Sequence, residues 1–167
     1  MAGTQGGISP ETTYSGEVDA AWIDANAHMN VSWYDRVFDL AELALFARIG
    51  IEDSFIARTG HSLYRLERFV RYEHELLQGT RIAVQSRIAW TDFKRIHHQH
   101  ELIDVDRRRR AAFVDGLSIH VDLGSRRSCP VVATEVREVL AALARRHAAL
   151  PAPKGIPPRD ERHRFGS

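Results

Sequence analysis

The sequence predicts an α+β fold in which long antiparallel strands wrap around one central helix, with an additional helix near the C-terminus. The order of periodic segments indicates this, because a strand is followed by a long helix, four strands and a second helix. The long helical segment has a wide apolar face, which is typical of a helix covered on several sides. A chain of 167 residues is also long enough to bury a sizeable core as one domain.

The predicted domain organisation has three parts. Residues 1–12 are small and polar, and we expect a flexible N-terminus. Residues 13–150 contain every periodic segment, and we expect them to form the folded domain. Residues 151–167 combine proline, glycine and charge, and we expect a disordered C-terminal tail.

The first half of the domain is predicted to form a strand and the central helix. Residues 13–23 have the composition of a strand. Residues 31–49 have helical period, and Gly50 follows as a stop signal. The apolar face of this helix carries Tyr34, Phe38, Ala41 and Leu45. Residues 51–60 are predicted to be a connector.

The second half is predicted to form four strands and a helix. The strand candidates are residues 64–76, 82–90, 94–105 and 111–123, with breaks at "LLQG", "TDFK" and "DRRRR". The pattern of the last strand places on one face Phe113, Leu117, Ile119, Val121 and Leu123. Residues 134–150 have the pattern of an amphipathic helix. Such a sheet leaves an edge strand open, and we expect a homodimer or homotetramer to cover it.

Composition narrows the range of partners. The net charge is +1, from 23 basic and 22 acidic residues, which gives no general field for nucleic acid or an acidic membrane. The four consecutive arginines at residues 107–110 are therefore predicted to be a solvated turn, with a contact to coenzyme A as the second interpretation. No apolar run has membrane-spanning length, and the N-terminus lacks the form of a signal peptide. With Cys129 as its single cysteine, the chain is expected in the reducing cytoplasm.

A cluster of polar residues lies directly before the central helix. Asp24, His28 and Asn30 all belong to the seven-residue segment "DANAHMN". Each has an ordinary structural interpretation: Asn30 as the N-cap of the helix, Asp24 as a turn former and His28 as a hydrogen-bonding partner of the loop. The combination of the three is less ordinary and points to chemistry.

The segment "DANAHMNVSWY" resembles the Asp-x-x-Gly-His-x-Asn element of hotdog-fold acyl-CoA thioesterases of the 4-hydroxybenzoyl-CoA type. Asp24 and His28 keep the spacing of that element, Asn30 matches its Asn, and Ala27 replaces its Gly. Three later segments resemble the strands of the subgroup that includes the betainyl-CoA thioesterases of the carnitine pathway: "HSLYRLERFVRYEHELLQGTRI", "DFKRIHHQHEL" and "SIHVDLGSRRSCP". The resemblance covers residues 14–131.

The resemblance implies hydrolysis of an acyl-CoA thioester, and elementary chemistry supports it. Unpaired N–H groups at a helix N-terminus can polarise the thioester carbonyl. Asp24, held beside them, acts either as a general base toward water or as a nucleophile. His28 and Asn30 orient substrate or water. This chemistry needs no metal or redox cofactor. His98 and His100 share a strand face and are a zinc-ligand pair in principle, but the sequence offers no third ligand pattern.

Further residues are candidates for binding the substrate. Trp33 and Tyr34 lie in the first helical turn, where their rings offer cation–π contacts to a trimethylammonium acyl group. His61 is expected to approach the partner subunit's Asp24. Lys94 and Arg95 match a Lys-Arg-aliphatic-His element of the subgroup. Two interpretations of this pair are equally open: it contacts the phosphates of coenzyme A, or it is a solvated strand end.

Two other functions remain open. Hotdog enoyl-CoA hydratases carry an Asp-x-Asn-Pro-aliphatic-His element, whereas residues 24–28 lack the proline and are one residue shorter. A non-catalytic acyl-CoA-binding protein is the second alternative, and Ala27 in place of glycine is the feature that supports it.

Overall fold

The computed structural model describes residues 9–156, in which a curled antiparallel sheet surrounds one long helix. A short 3₁₀ turn, Ala20–Trp22, precedes that helix. The elements in chain order are β1 (Glu11–Glu17), α1 (Val31–Arg48), α2 (Asp53–Thr59), β2 (His61–Tyr72), β3 (Arg81–Thr91), β4 (Arg95–Asp104), β5 (Arg109–Asp122), β6 (Arg127–Ser128) and α3 (Thr134–Ala148). None of the helices in this range is both long enough and apolar enough to cross a membrane.

The sheet places β2 at one edge. The strand order is β1-β3-β4-β5-β2, with β6 paired to β5, and every pairing is antiparallel. β2 pairs with β5 from His61, opposite Asp122, to Tyr72, opposite Ala112. The other side of β2 has no paired strand within the described residues. An edge strand of 12 residues is long, and such edges usually acquire a partner.

The predicted α+β arrangement is confirmed, with differences at the ends. β1 begins at Glu11, two residues inside the segment expected to be flexible. The connector contains the short helix α2, which sequence periodicity did not indicate. Residues 151–156 lie against the sheet, where Arg87 donates to the Pro151 carbonyl at 2.7 Å and Arg110 to the Lys154 carbonyl at 2.7 Å. The rest of both predicted terminal segments, residues 1–8 and 157–167, falls outside the described residues.

The face of β5 that packs on α1 is not the face that carries the larger apolar side chains. The larger apolar side chains do share a face, but it is the face directed away from α1, where the guanidinium of Arg110 lies 5.3 Å from the Phe113 ring. The helix packs instead on small residues of β5, including Ala112 and Val114. Small side chains allow the helix and the sheet to approach closely, so this face is buried although its residues are not large.

A line of polar residues divides the core. One apolar cluster contains the first half of α1 with Val84 and Leu102, and a second contains the end of α1 with Ile88 and Ile96. Between them are six polar residues that we call the polar seam. Glu42 lies on α1, and the other five lie on strands: Thr13, Ser86, His98, His100 and Ser118.

Hydrogen bonds join the five strand residues of the polar seam to one another. Ser86 Oγ lies 2.6 Å from both Thr13 Oγ1 and His100 Nδ1. His100 Nε2 is 2.8 Å from His98 Nδ1, and His98 Nε2 is 3.0 Å from Ser118 Oγ. Burial lowers the pKa of His100 to about 3 and lowers that of His98 well below its usual value, so both rings are neutral.

Candidate active site

The loop that precedes α1 is a tight turn closed by its own backbone. The Asp24 N–H donates to the His28 carbonyl at 3.0 Å, and the Ala27 N–H donates to the Asp24 carbonyl at 3.0 Å. Ile23 and Met29 form an isolated antiparallel bridge across the same turn. These bonds bring Asp24 and His28 onto the same side of α1's first residue.

Ala27 occupies the position where the resemblance expects glycine, and its backbone has a φ of 63°. This is the left-handed region, which costs a residue with a Cβ about 1–2 kcal/mol. The turn therefore keeps a conformation suited to glycine despite the methyl group. The strain is held by the hydrogen bonds on both sides of Ala27.

Two donors orient the Asp24 carboxylate. Its Oδ1 accepts from the Asn26 N–H at 2.8 Å, and its Oδ2 accepts from Asn30 Nδ2 at 3.1 Å. His28 Nδ1 lies 4.0 Å from Oδ1. The Asp24 side chain remains 22% exposed, so water and substrate can reach it. The structure thus brings together Asp24, His28 and Asn30.

Asn30 connects the carboxylate to the start of the helix. It is the N-cap of α1, as predicted, because its Oδ1 accepts from the Ser32 N–H at 3.0 Å. The Ser32 hydroxyl donates to the same oxygen at 2.7 Å. The Val31 N–H has no acceptor in the described part of the chain. A free amide at the positive end of the helix dipole, close to an oriented carboxylate, is suited to polarising a carbonyl.

A cavity of about 330 Å³ opens beside His28 and Val31, although Asp24 and Asn30 are not among its lining residues. It is lined by His28, Met29, Val31, Tyr34, Tyr72, Glu73, His74 and Glu75. The ring of Tyr34 meets that of Tyr72 nearly at right angles, with centroids 5.3 Å apart, and its hydroxyl donates to the His74 carbonyl at 3.3 Å. The sequence pattern indicated Tyr34 but not the residues on the other side of the cavity, Tyr72 to Glu75. The available signal was the "YEHE" segment at the end of β2, where an aromatic residue precedes two acids.

Trp33 lies in a different environment from Tyr34. Its ring stacks on that of Trp22, with centroids 4.8 Å apart and an interplanar angle of 15°. One face is therefore covered, and the pair packs partly buried against the first apolar cluster. Trp33 does not line the cavity beside His28.

The remaining candidates lie at the opposite end of the sheet. His61 begins β2, and its ring centroid is 5.0 Å from that of His120. The Lys94 carbonyl accepts from the His120 N–H at 2.8 Å, so the β3–β4 turn is at the same end. Tyr72, at the Asp24 end, is separated from His61 by nearly the full length of β2, roughly 35 Å. A single chain therefore does not bring His61, Lys94 or Arg95 to Asp24.

Arg95 already has an anionic partner. Its Nη2 and Nε lie 2.7 and 3.0 Å from Asp92 Oδ2, and its guanidinium is 5.5 Å from the Trp90 ring. These contacts hold the guanidinium at the tip of the β3–β4 turn, where it remains partly exposed. The exposed position is compatible with a phosphate contact as well as with a solvated strand end.

Three residues of the polar seam are close enough together to bind one metal ion. Nitrogen or oxygen atoms of Glu42, His98 and His100 lie within 4.8 Å of one another. The ring nitrogens are, however, hydrogen-bonded to each other and to Ser86 and Ser118. Arg65 donates to both oxygens of Glu42, at distances of 2.9 to 3.3 Å. The donor atoms are thus engaged without an ion.

Comparison with known proteins identifies the family of the chain. Residues 18–143 match the thioesterase-like superfamily. The chain is 36% identical over 145 residues to a betainyl-CoA thioesterase of Pseudomonas aeruginosa, covering 87% of this chain and 91% of that protein.

Solved structures show the same fold. A putative thioesterase from Pseudomonas putida KT2440 has a TM-score of 0.74 and 30% identity, covering 90% of this chain and 95% of that one. The SAV2348 protein of Staphylococcus aureus, solved in complex with CoA, has a TM-score of 0.78 and 20% identity, covering 96% of this chain and 98% of that one. The predicted hotdog fold and the predicted class of thioester hydrolase are confirmed. The fold, the family match and the related sequence together show that the chain belongs to the thioesterase-like superfamily.

Proposed function

We propose that this protein hydrolyses a short cationic acyl-CoA, betainyl-CoA, to the free acid and coenzyme A. The observation that carries the catalytic part is the Asp24 carboxylate, oriented by the Asn26 N–H and Asn30 Nδ2 next to the unpartnered Val31 N–H. The cationic acyl group is supported by the P. aeruginosa relative and by the aromatic and acidic lining of the adjacent cavity.

The proposed reaction uses the helix start to polarise the carbonyl. The thioester oxygen accepts from the Val31 N–H, and negative charge that develops there is stabilised by the helix dipole. As a base, Asp24 takes a proton from water while the water oxygen attacks the carbonyl carbon. The C–S bond then breaks, and the proton passes to the departing sulfur. As a nucleophile, Asp24 forms a mixed anhydride that water hydrolyses, with the same products.

His28 and Asn30 have positioning roles in this proposal. His28 Nδ1 is 3.2 Å from the Met29 carbonyl, which can only accept, so Nδ1 carries the proton. In the neutral ring Nε2 is then an acceptor, able to hold the second proton of the attacking water. Asn30 fixes the carboxylate through Nδ2 while its Oδ1 caps α1.

We infer that the complete site needs a second subunit. If two β2 edges pair antiparallel about a two-fold axis, the His61 end of one chain lies against the Tyr72 end of the other. That pairing brings the partner subunit's His61, Lys94 and Arg95 toward Asp24, where the basic pair would meet the phosphates of coenzyme A. A groove of about 570 Å³ along the second half of α1, with Leu43 57% exposed, offers further apolar surface for such a contact.

Light scattering is expected to give a mass of at least two chains, each of 18.9 kDa. Leu43→Glu should weaken assembly and lower activity together, because it places a charge in the apolar groove and removes the partner's residues from the site. Val139→Glu, at a 45% exposed apolar position on α3, is the matched control and should leave the mass unchanged. A stable monomer with full activity would contradict the shared site.

The substrate assignment predicts a preference for positive charge. A desolvated cation–π contact contributes ~2 kcal/mol, or about thirtyfold in affinity. We therefore expect kcat/KM, measured by thiol release, to be about ten- to thirtyfold higher for betainyl-CoA than for 3,3-dimethylbutyryl-CoA, its neutral isostere. Equal kcat/KM values for the two substrates would contradict the cationic assignment and support only a general acyl-CoA thioesterase.

The same assay separates the alternatives. Release of free thiol from saturated acyl-CoA excludes a protein that only binds its ligand. Hydration of an enoyl-CoA without thiol release would instead indicate a hydratase. A cytoplasmic location stays a prediction, based on the single and free Cys129.

A further inference from the structure

We propose that the quaternary ammonium of the acyl group binds against the ring of Tyr72, with the Glu75 carboxylate as its long-range counter-charge. Both residues line the cavity beside His28. The inference rests on the proposed function, because it assigns the part of that site which distinguishes a cationic acyl group from a neutral one.

The chemistry of the acyl group restricts where its charge can lie. In a betainyl thioester a single methylene separates the carbonyl carbon from the quaternary nitrogen. If the carbonyl oxygen binds at the Val31 N–H, the ammonium must occupy space that adjoins the first turn of α1. The cavity of about 330 Å³ satisfies this condition, because Val31 and His28 form one side of it and Tyr72 and Glu75 belong to the other.

Tyr72 has the accessible aromatic face. A perpendicular contact uses at most one face of a ring, and the contact between Tyr34 and Tyr72 has an interplanar angle of 88°. Tyr34 is 5% exposed, whereas Tyr72 is 48% exposed. Trp33, the alternative aromatic residue in the first turn, is stacked on Trp22 and lies outside the cavity lining. A trimethylammonium group has no N–H to donate, so an aromatic face suits it better than a hydrogen-bond acceptor does.

The charges around the cavity favour a cation. Glu73 is neutralised by Arg110, which donates to both of its oxygens at 2.9 and 2.7 Å. Glu75 has no ion pair within residues 9–156, so its charge is not cancelled locally. Burial raises the pKa of Tyr34 to about 12, and the Glu75 carboxylate adds to the rise. Burial also raises the pKa of Tyr72, with a further rise from Asp35 that Arg68 opposes. Both phenols are therefore neutral at physiological pH.

The test compares kcat/KM for betainyl-CoA and 3,3-dimethylbutyryl-CoA in the purified full-length protein. In Tyr72→Leu the ratio of the two values is expected to fall about tenfold, toward one, with a smaller change for the neutral substrate. Tyr72→Phe keeps the aromatic face and should keep the ratio. Glu75→Gln should lower the ratio about threefold and weaken its dependence on salt.

Tyr64→Leu is the matched control, because Tyr64 lies on the same strand and is 44% exposed but does not line the cavity. Its ratio should equal that of the wild type. An unchanged ratio in Tyr72→Leu, or a fall in Trp33→Leu alone, would overturn this subsite while leaving the betainyl-CoA assignment intact. A wild-type ratio of one would overturn both, and thiol release would then support only the thioesterase class.

Discussion

Asp24→Asn is expected to lower kcat by ~100- to 10,000-fold, the range of a general-base contribution, and by more if Asp24 is the nucleophile. The substitution is nearly isosteric, but an amide neither accepts a proton from water nor attacks a carbonyl. The new amide also loses a hydrogen bond in either orientation. Its NH₂ group faces either Asn30 Nδ2, 3.1 Å away, or the Asn26 N–H, and both of these are donors. Asn30 cannot turn its amide to compensate, because its oxygen caps α1.

The measurement is steady-state thiol release, with the melting temperature recorded to show that the fold is retained. Asp19→Asn is the control, since Asp19 is another loop carboxylate that accepts from a backbone N–H, that of Ala21 at 2.8 Å. It should retain wild-type turnover. A single turnover in ¹⁸O-water then tests the nucleophilic role, because Asp24 acquires the label only from a mixed anhydride that water cleaves at the Asp24 carbonyl carbon. Near wild-type kcat in Asp24→Asn would remove this carboxylate from the mechanism.

Gly116→Ala is expected to destabilise the protein by about 2–4 kcal/mol, through overpacking and a disrupted buried hydrogen bond. A Cβ on Gly116 would lie 2.4 Å from His98 Cε1 and 3.0 Å from both ring nitrogens. The ring cannot simply move away, because His100 and Ser118 hold its two nitrogens. Displacing it breaks these bonds among groups that are fully buried, which leaves their polar atoms unpaired.

Urea denaturation measures this difference in the free energy of unfolding. Gly124→Ala is the control, because its added Cβ would meet only an oxygen of the Asp122 side chain, at 3.3 Å in an exposed turn. It should change the free energy of unfolding by less than about 0.5 kcal/mol. A Gly116→Ala variant as stable as this control would show that the His98 ring relocates freely.

Local signals in the sequence were sufficient for the helix and for one side of the site. The 3.6-residue period predicted α1, and the preference of Asn for N-caps predicted the role of Asn30. Asp24 followed from the combined pattern of Asp24, His28 and Asn30 and its resemblance to the thioesterase element. Each of these depends on residues within one turn or loop, where the side chain and its partner are close in sequence.

The other side of the site depended on contacts between distant residues. The Tyr34 hydroxyl meets the carbonyl of His74, 40 residues later, and no periodicity specifies which strand end lies beside the helix start. The short helix α2 was missed because seven residues are too few to establish a period, and only Gly60, with a φ of 69°, marks its end. The buried face of β5 was also not evident, because it is built from small and polar side chains.

The hydrogen-bonded seam beneath α1 makes the tautomers of two histidines interdependent. If His98 carries its proton on Nδ1, then His100 must accept at Nε2 and hold its own proton on Nδ1, with Ser86 donating to Thr13. If His98 is protonated on Nε2, every proton along the chain reverses. Only these two orders satisfy the bonds between the side chains. In the second, the Thr13 hydroxyl donates to Ser86 and gives up its 3.4 Å bond to the Val84 carbonyl, but the Glu42 carboxylate, 4.0 Å from His98 Nε2, favours this order. The hydrogen positions in this row of side chains therefore change together. A reversal of the hydrogen bond at Thr13 on β1 requires a reversal at Ser118 on β5.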